Sequence, residues 1–379
     1  MPILDSVTIA LCAVLILLIA MSSFTDIFFR KIRTKDVDDN VKQEPVSVIM
    51  VADNNSFELK ENLPAFLSQD YPAGFEVIVV VCKDEDGTSD VLNTFAGHKN
   101  LYTTYVPDSS RYVSRRKLAV TLGVKAAKHE RILLTDACCR PRSDRWIAAM
   151  SSQCGEGVDM VFGYSNYDDT ASRFKRFNRL HREYAMMCDA SAGRAYGMAG
   201  NNLMFRKSLF MQGDGFRDNL KYLRGEYDFI LNKYASESNV AVCTDPDSFI
   251  VEAAPTPKEW KNKNLFYQET RKHLRRRFMH RLNFNLDMSS LHLCLLAGAG
   301  AAVYGVLSMR AIALEFGLIA LVLPLILRTL NAKRAMQTLP GEIGYGWAVL
   351  FEIYTIWHNL IFAIRYKLSD KNGFISHKL

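Results

Sequence analysis

Residues 46–51 read VSVIMV, and residues 75–81 read FEVIVVV. Both runs are short and rich in β-branched residues, which is typical of strands buried inside a parallel sheet. A third run of this kind, residues 131–135, reads RILLT. Helical patterns over residues 57–67 and 116–128 separate the three runs. This alternation of strand and helix predicts an α/β layer with a largely parallel sheet.

Acidic residues follow the ends of the predicted strands. Ligands of parallel α/β sheets bind at the carboxyl ends of the strands. Asp136 comes directly after the third strand, and helix capping explains it poorly because Pro141 and several other residues precede the next helix. We therefore expect Asp136 to bind a ligand. The acids between residues 84 and 90 are at least as well explained by a solvated loop around Gly87.

The distribution of apolar residues indicates a membrane protein. The chain has 379 residues, of which 49% are hydrophobic and 23% are charged. These values exclude wholesale disorder and disulfide-scaffold proteins. A bilayer core needs roughly 20 helical residues. We predict an N-terminal anchor at residues 3–29 and a transmembrane hairpin at residues 290–327, in which Arg310 separates two apolar blocks.

A further apolar segment, residues 344–365, has two interpretations. Its residues Glu352, Thr355 and Asn359 fall on one helical face and apolar residues fall on the other,. The segment is therefore either a helix in the membrane interface or a fourth span.

The positive charges set the expected orientation. Lys and Arg number 47 against 40 Asp and Glu. They cluster after the anchor, at Arg30, Lys31, Arg33 and Lys35, and on both sides of the hairpin. The positive-inside rule then predicts a multi-pass protein of the inner membrane with residues 45–285 in the cytoplasm. Because membrane topology already accounts for these cations, we expect no binding of nucleic acid.

An ordered set of short motifs between residues 45 and 280 resembles the family 2 glycosyltransferases, most closely the membrane-anchored bacterial members. In the first half, residues 45–146, the matching residues are Ser47-Val48-Ile49, Asn62-Leu63-Pro64, Gln69-Asp70-Tyr71-Pro72, Phe75 to Val80, Lys117-Leu118-Ala119, Leu134-Thr135-Asp136-Ala137, Arg140-Pro141 and Trp146. In the second half, residues 147–285, they are Gly200-Asn201-Asn202, Arg206 to Phe210, Gly225-Glu226-Tyr227-Asp228, Gln268 and Arg271 to His273.

The resemblance implies a GT-A fold, with a nucleotide-sugar half at residues 45–146 and an acceptor half at residues 147–285. It also implies a UDP- or GDP-linked sugar donor, inversion at the anomeric carbon, and Mg²⁺ or Mn²⁺ at Asp136. Where the family has a second metal-binding acid this chain has Cys138. A thiol is a poor ligand for a hard cation, so the implied metal site is weakened.

The resemblance also assigns the candidate site residues. Glu226 matches the catalytic base and Asp228 the second acid of that motif. Cys82 stands where the family has acids that contact the nucleoside. The implied donor-binding residues are Ala52, Asn54, Asp84, Asp86, Arg116, Asp136, Gln268, Arg271 and His273.

Two functions follow as hypotheses. The first is a membrane-bound inverting hexosyltransferase of glycan biosynthesis in the cell envelope, acting at the cytoplasmic face on a lipid-linked or surface-glycan acceptor. The second is a catalytically silent scaffold or partner in an envelope-assembly complex, because cysteines replace acids at Cys82 and Cys138.

Overall fold

A computed structural model describes residues 5–34, 43–107 and 114–374 of the protein. Residues 3 and 4 of the predicted anchor, and Lys35, lie outside the described residues. The chain forms two compact units. The first comprises Met1–Lys31 and Arg276–Ile361, and the second comprises Ile32–Arg275 and Phe362–Leu379.

The second unit contains the strands. Over the described residues they are β1 (Val46–Asp53), β2 (Phe75–Lys83), β3 (Leu101–Tyr105), β4 (Arg131–Asp136), β5 (Cys139–Pro141), β6 (Met160–Gly163), β7 (Ser165–Tyr167), β8 (Leu203–Arg206), β9 (Val240–Cys243) and β10 (Ile250–Glu252).

Seven of these strands form one sheet, in the order β3-β2-β1-β4-β8-β6-β9. Strand β1 pairs in parallel with β2 and with β4. Strand β8 runs antiparallel to both of its neighbours, β4 and β6. The prediction of an α/β fold with a mostly parallel sheet is therefore confirmed. A second, smaller sheet has the order β5-β10-β7.

Helices alternate with the strands and continue beyond them. In chain order they are α1 (Ser6–Phe24), α2 (Ser56–Leu67), α3 (Thr88–Thr94), α4 (Arg115–Ala126), α5 (Trp146–Ser151), α6 (Arg173–Ser191), α7 (Lys207–Gln212), α8 (Glu226–Tyr234), α9 (Pro257–His273), α10 (Phe278–Leu307), α11 (Ala311–Thr338) and α12 (Tyr345–Leu368).

The core of the second unit lies between the large sheet and the helices that cover it. Phe66 of α2 and Trp146 of α5 are fully buried and meet edge to face, with ring centroids 5.3 Å apart. The indole N–H of Trp146 donates to Oδ1 of Asn202 at 3.2 Å, so the buried ring keeps a partner,. On the other face α4 approaches the sheet at Gly123, where a Cβ atom would lie 2.6 Å from the side chain of Ile49.

The register of the sheet positions the candidate site. Val51 of β1 lies opposite Asp136 of β4, so the carboxyl ends of these two parallel strands reach the same edge. This edge is where parallel α/β sheets bind ligands. Asp136 is the last residue of β4 and the next element is the strand β5, so it caps no helix, and its binding of a ligand stays a prediction.

Four helices among the described residues are long and apolar enough to cross a membrane, and the first unit contains α1, α10, α11 and the greater part of α12. Their mean hydropathies are 2.6 for α1, 1.7 for α10, 2.1 for α11 and 1.4 for α12. Helices α10 and α11 extend beyond the predicted 290–327 at both ends. They approach closely at small residues: a Cβ atom at Gly317 would lie 2.5 Å from the backbone nitrogen of Ala302,. Helix α12 is as long and apolar as a fourth span requires.

A buried ion pair network joins the helices of the first unit. Arg328 on α11 donates to Oδ1 of Asp287 on α10 at 3.2 Å and to Oε2 of Glu352 on α12 at 2.8 Å. All three side chains are at most 2% exposed. In addition, the Asn331 amide donates to Asp26 at 2.8 Å. Charged groups in membrane-spanning helices are costly unless they pair in this way.

Candidate functional site

The second unit contains a cavity of about 370 Å³ at the carboxyl edge of the sheet. Its lining includes Asp136 from the end of β4, Arg116 from the start of α4, and Glu226 from the start of α8. Strand order and helix starts thus bring together three residues that are far apart in the sequence.

Arg116 lies between the two acids. Its Nη2 atom donates to Oδ1 of Asp136 at 2.5 Å, and both side chains are mostly buried, with 16% and 12% exposed. Ser114 caps the helix by accepting from the backbone N–H of Lys117, which fixes the first turn that carries Arg116,. A charge-assisted hydrogen bond of this kind holds the guanidinium in one orientation.

Glu226 faces Arg116 across a wider gap. Its Oε1 atom lies 3.9 Å from Nε of Arg116, and among the described residues neither atom has a hydrogen-bond partner. The preceding Gly225 has φ of +96°, and a Cβ atom there would lie 2.7 Å from the Thr270 side chain. Glycine is therefore required at the turn that places Glu226 at the first position of α8.

Asp228 lies two residues further along α8 and also lines the cavity. Its Oδ1 atom accepts from the backbone N–H of Met198 at 3.0 Å. Burial raises the pKa of Asp228 to about 7, against the opposing effects of the Met198 hydrogen bond and of Arg182,. This carboxyl group therefore changes its protonation state near neutral pH.

The cavity also contains an acid that the motifs did not single out. Glu252 at the end of β10 accepts from Arg179 at 2.6 Å and also binds Lys263. Burial raises the pKa of Glu252, but Lys263 and Arg179 outweigh it, so the net pKa is lowered. No local sequence pattern marks Glu252, because the three-residue strand β10 is defined by its pairing with the distant strands β5 and β7.

Four predicted donor-binding residues near the first two strands are absent from the cavity lining. Asp84 accepts from the backbone N–H of Ser89 at 2.8 Å, and Asp86 from that of Ser56 at 2.7 Å. Asn54 donates to Glu85 at 3.2 Å. The Asp84 contact is local, whereas the Asp86 and Asn54 contacts join the turn after β1 to the loop after β2. The lining takes Asp53 and Asn55 instead of Ala52 and Asn54, so the nucleoside-facing roles predicted for the four residues remain predictions.

Three predicted residues on α9 are likewise outside the lining. Lys263, Tyr267 and Thr270 face the cavity at helical spacing, so Gln268, which is buried, and His273 lie on other sides of the helix,. His273 stacks on the ring of Tyr222 with centroids 4.0 Å apart.

Arg271, the third of these α9 residues, lies over the ring of Tyr267 at 5.8 Å. It therefore borders on a residue of the lining without belonging to it. The role in donor binding that the resemblance implies for Arg271 stays a prediction.

The residues at the predicted metal position do not fit a hard divalent ion. Mg²⁺ and Mn²⁺ prefer several oxygen ligands. Of the motif residues only Asp136 offers oxygen, its Oδ1 already accepts from Arg116, and Cys138 offers sulfur to the cavity. Among the described residues, no group of three or more His, Cys, Asp or Glu could hold a metal ion. Cys82 is buried outside the lining, with its thiol directed to the Arg115 carbonyl.

Comparison with known sequences and structures complements this geometry. The sequence model of glycosyl transferase family 21 matches residues 7–365. The search of curated proteins found no match.

Among solved structures, the chain is similar to a mannosyltransferase from Pyrobaculum calidifontis in complex with GDP-Man and Mn²⁺. The identity is 19%, the TM-score is 0.52, and the match covers 94% of this chain and 98% of that one. It is also similar to residues 1–349 of S. aureus TarS, with 14% identity, a TM-score of 0.41, and coverage of 84% and 91%. The first likeness supports the fold.

Proposed function

Because the chain belongs to glycosyl transferase family 21, we propose that its cavity binds a nucleoside diphosphate sugar and transfers the sugar, with inversion, to a hydroxyl group. The family 2 assignment that the motifs predicted is not confirmed, but the broader assignment to glycosyltransferases is shown by the family match. A UDP- or GDP-linked hexose is the proposed donor. The GDP-Man bound to the similar mannosyltransferase supports that choice.

One observation carries the proposal: Arg116 Nε and Glu226 Oε1 face each other at 3.9 Å, each without a hydrogen-bond partner among the described residues. The gap is too wide for a direct hydrogen bond. A hydroxyl group between them would accept from the guanidinium and donate to the carboxylate. That is the arrangement in which a carboxylate acts as general base on an attacking hydroxyl.

The acceptor hydroxyl gives its proton to Glu226 as its oxygen forms a bond to the anomeric carbon. The bond from that carbon to the diphosphate breaks, and the diphosphate leaves with the electron pair. Attack opposite the leaving group inverts the anomeric carbon. Asp228, the second acid of the motif, is proposed to help orient the acceptor.

We propose a lipid-linked or membrane-surface glycan acceptor on the cytoplasmic side. Four helices in the described part of the chain are long and apolar enough to cross a membrane, and cations flank them in the pattern of the positive-inside rule. An enzyme anchored in this way meets acceptors held in the same membrane at high effective concentration.

The scaffold hypothesis does not require an open cavity, because a catalytically silent relative binds no substrate. In this chain Asp136 and Glu226 line a cavity of about 370 Å³. That observation favours the enzyme, and Asp136 and Glu226 are the residues we propose as its functional centre.

The proposal is tested by a donor screen. Membranes containing the full chain are incubated with radiolabelled UDP- and GDP-hexoses, and matched membranes without the chain serve as the control. We expect transfer of label from one donor into a lipid or glycan fraction only where the chain is present. Equal labelling of both membranes with every donor, together with no binding of any nucleoside diphosphate, would favour the scaffold.

A further inference from the structure

The guanidinium of Arg116 lies where the fold family leads one to expect a metal ion. Its Nη2 atom is 2.5 Å from Asp136, the one acid of the motif that this chain keeps. A divalent ion at Asp136 would have to displace this contact or share the carboxylate with a fixed positive charge a few ångströms away. Like charges at such distances repel strongly where water is excluded.

A second guanidinium lines the same cavity. Arg224 directly precedes Gly225 and Glu226 in the chain. It lines the cavity together with Arg116, Asp53, Asp136 and Glu226. Arg224 is exposed, so its side chain can reach a ligand at the cavity wall. The two guanidinium groups together have the formal charge of one divalent cation. Guanidinium also donates two parallel hydrogen bonds to phosphate oxygens.

We infer that Arg116 and Arg224 neutralise the leaving diphosphate in this protein, and that nucleotide binding and sugar transfer need no divalent cation. The inference rests on the proposed function and specifies its chemistry. Asp136 is then a positioning residue, which holds Arg116 through the ion pair. Arg116 and Arg224 contact the diphosphate oxygens and stay charged as the bond to the anomeric carbon breaks.

The chemistry of the motif agrees with this assignment. Cys138 takes the place of the second acid, and sulfur suits soft metal ions rather than Mg²⁺ or Mn²⁺. An arginine that contacts the diphosphate needs no acid at position 138, whereas a metal ion would need one as a ligand. The substitution of the acid by cysteine and the ion pair of Asp136 with Arg116 thus have one common explanation.

The test measures binding of UDP, GDP, ADP, CDP and dTDP to the detergent-purified full chain by calorimetry, in EDTA and in Mn²⁺. We expect at least one diphosphate to bind with affinities that agree within about twofold in the two conditions. Arg116→Gln is expected to weaken that binding about tenfold or more, in keeping with loss of a charge-assisted phosphate contact. Lys125→Gln, an exposed cation on the same helix, is the matched control.

A second variant separates the two possible roles of Asp136. Asp136→Asn removes the only carboxylate of the metal motif and also the ion pair that positions Arg116. We expect it to weaken nucleotide binding to the same degree in EDTA and in Mn²⁺, because the guanidinium rather than a metal ion makes the contact. If Asp136 holds a metal, the same variant loses binding that Mn²⁺ supports.

The outcomes are distinguishable. Binding of a nucleotide in Mn²⁺ but not in EDTA, or unchanged binding by a folded Arg116→Gln protein, overturns the inference and leaves the proposed function intact. Absence of binding by all five nucleotides in both conditions overturns the proposed function and this inference together.

Discussion

The Nε atom of Arg116 and the Oε1 atom of Glu226 lie 3.9 Å apart inside the cavity, and neither has another partner among the described residues. Each atom is buried, and leaving a buried polar atom unpaired costs about 1–3 kcal/mol. A ligand hydroxyl between them satisfies both atoms at once. The pair is therefore suited to hold an acceptor, and the length of the Glu226 side chain sets the width of the gap.

The first prediction concerns that length. Glu226→Asp shortens the side chain by one methylene and withdraws the carboxylate by about 1 Å. We expect kcat to fall by roughly a hundredfold, since misplacement of this size can cost that much. The KM for the donor is expected to change little. Steady-state transfer assays measure both values, and an unchanged kcat would show that the reach of Glu226 is not critical.

The second prediction concerns the cysteine of the metal motif. Cys138→Asp supplies the missing hard ligand beside Asp136, so we expect Mn²⁺ to tighten nucleotide binding in this variant but not in the wild type. Calorimetry with and without EDTA measures the difference. Cys138→Ser, which adds no charge, is the control. A Cys138→Asp protein without any response to Mn²⁺ would contradict the view that the thiol excludes the metal.

The third prediction follows from a buried acid on α6. Glu183 is fully buried, both of its carboxyl oxygens lack hydrogen-bond partners among the described residues, and burial raises its pKa to about 8. In the unfolded chain it ionises near its ordinary pKa of 4.5. The folded protein thus holds one more proton between these values, so Glu183 makes stability fall as pH rises through this range.

Glu183→Gln imitates the neutral acid and removes that dependence. We expect the variant and the wild type to be equally stable near pH 4.5. Above pH 8 the variant should be more stable by on the order of a few kcal/mol, at about 1.4 kcal/mol per pKa unit. Thermal unfolding as a function of pH measures the difference, with the exposed Glu156→Gln as control. A difference that does not vary with pH would exclude this assignment.

The fourth prediction concerns the first unit. Arg328 is bonded to Asp287 and Glu352, and all three side chains are buried. Arg328→Met leaves two buried carboxyl groups without their cation, and breaking a buried pair in this way costs about 3–5 kcal/mol. We expect a clear fall in the unfolding temperature in detergent, whereas the exposed Lys333→Met changes it little. Adding Glu352→Gln to Arg328→Met should recover part of the loss, and equal unfolding temperatures for Arg328→Met and Lys333→Met would refute the role of the network.

Local patterns were sufficient for the main elements of the fold. The runs at 46–51, 75–81 and 131–135 lie within β1, β2 and β4, because a buried parallel strand needs a continuous apolar stretch that can be recognised by itself. The chain also brings together Asp136, the acid predicted at a strand end, and Glu226, the acid that the resemblance assigned as catalytic base.

The remaining parts of the site depend on contacts between distant segments. Glu252 reaches the cavity because β10 pairs with β5 and β7, and no local pattern encodes that pairing. The orientation of α9 about its own axis places Tyr267 rather than Gln268 at the cavity. Asp84 and Asp86 illustrate the opposite case, since short-range hydrogen bonds from Ser89 and Thr88 engage acids that the motif comparison assigned to the donor,.

The most direct test of Glu226 as the general base compares sugar transfer by the wild type and by Glu226→Gln in membranes, with the donor identified by the screen. Glutamine keeps the shape of the side chain but cannot accept the proton. We predict that transfer falls at least a hundredfold, within the range that general base catalysis contributes, while donor binding is retained. Transfer at the wild-type rate by Glu226→Gln would contradict the assignment of this cavity as the catalytic site.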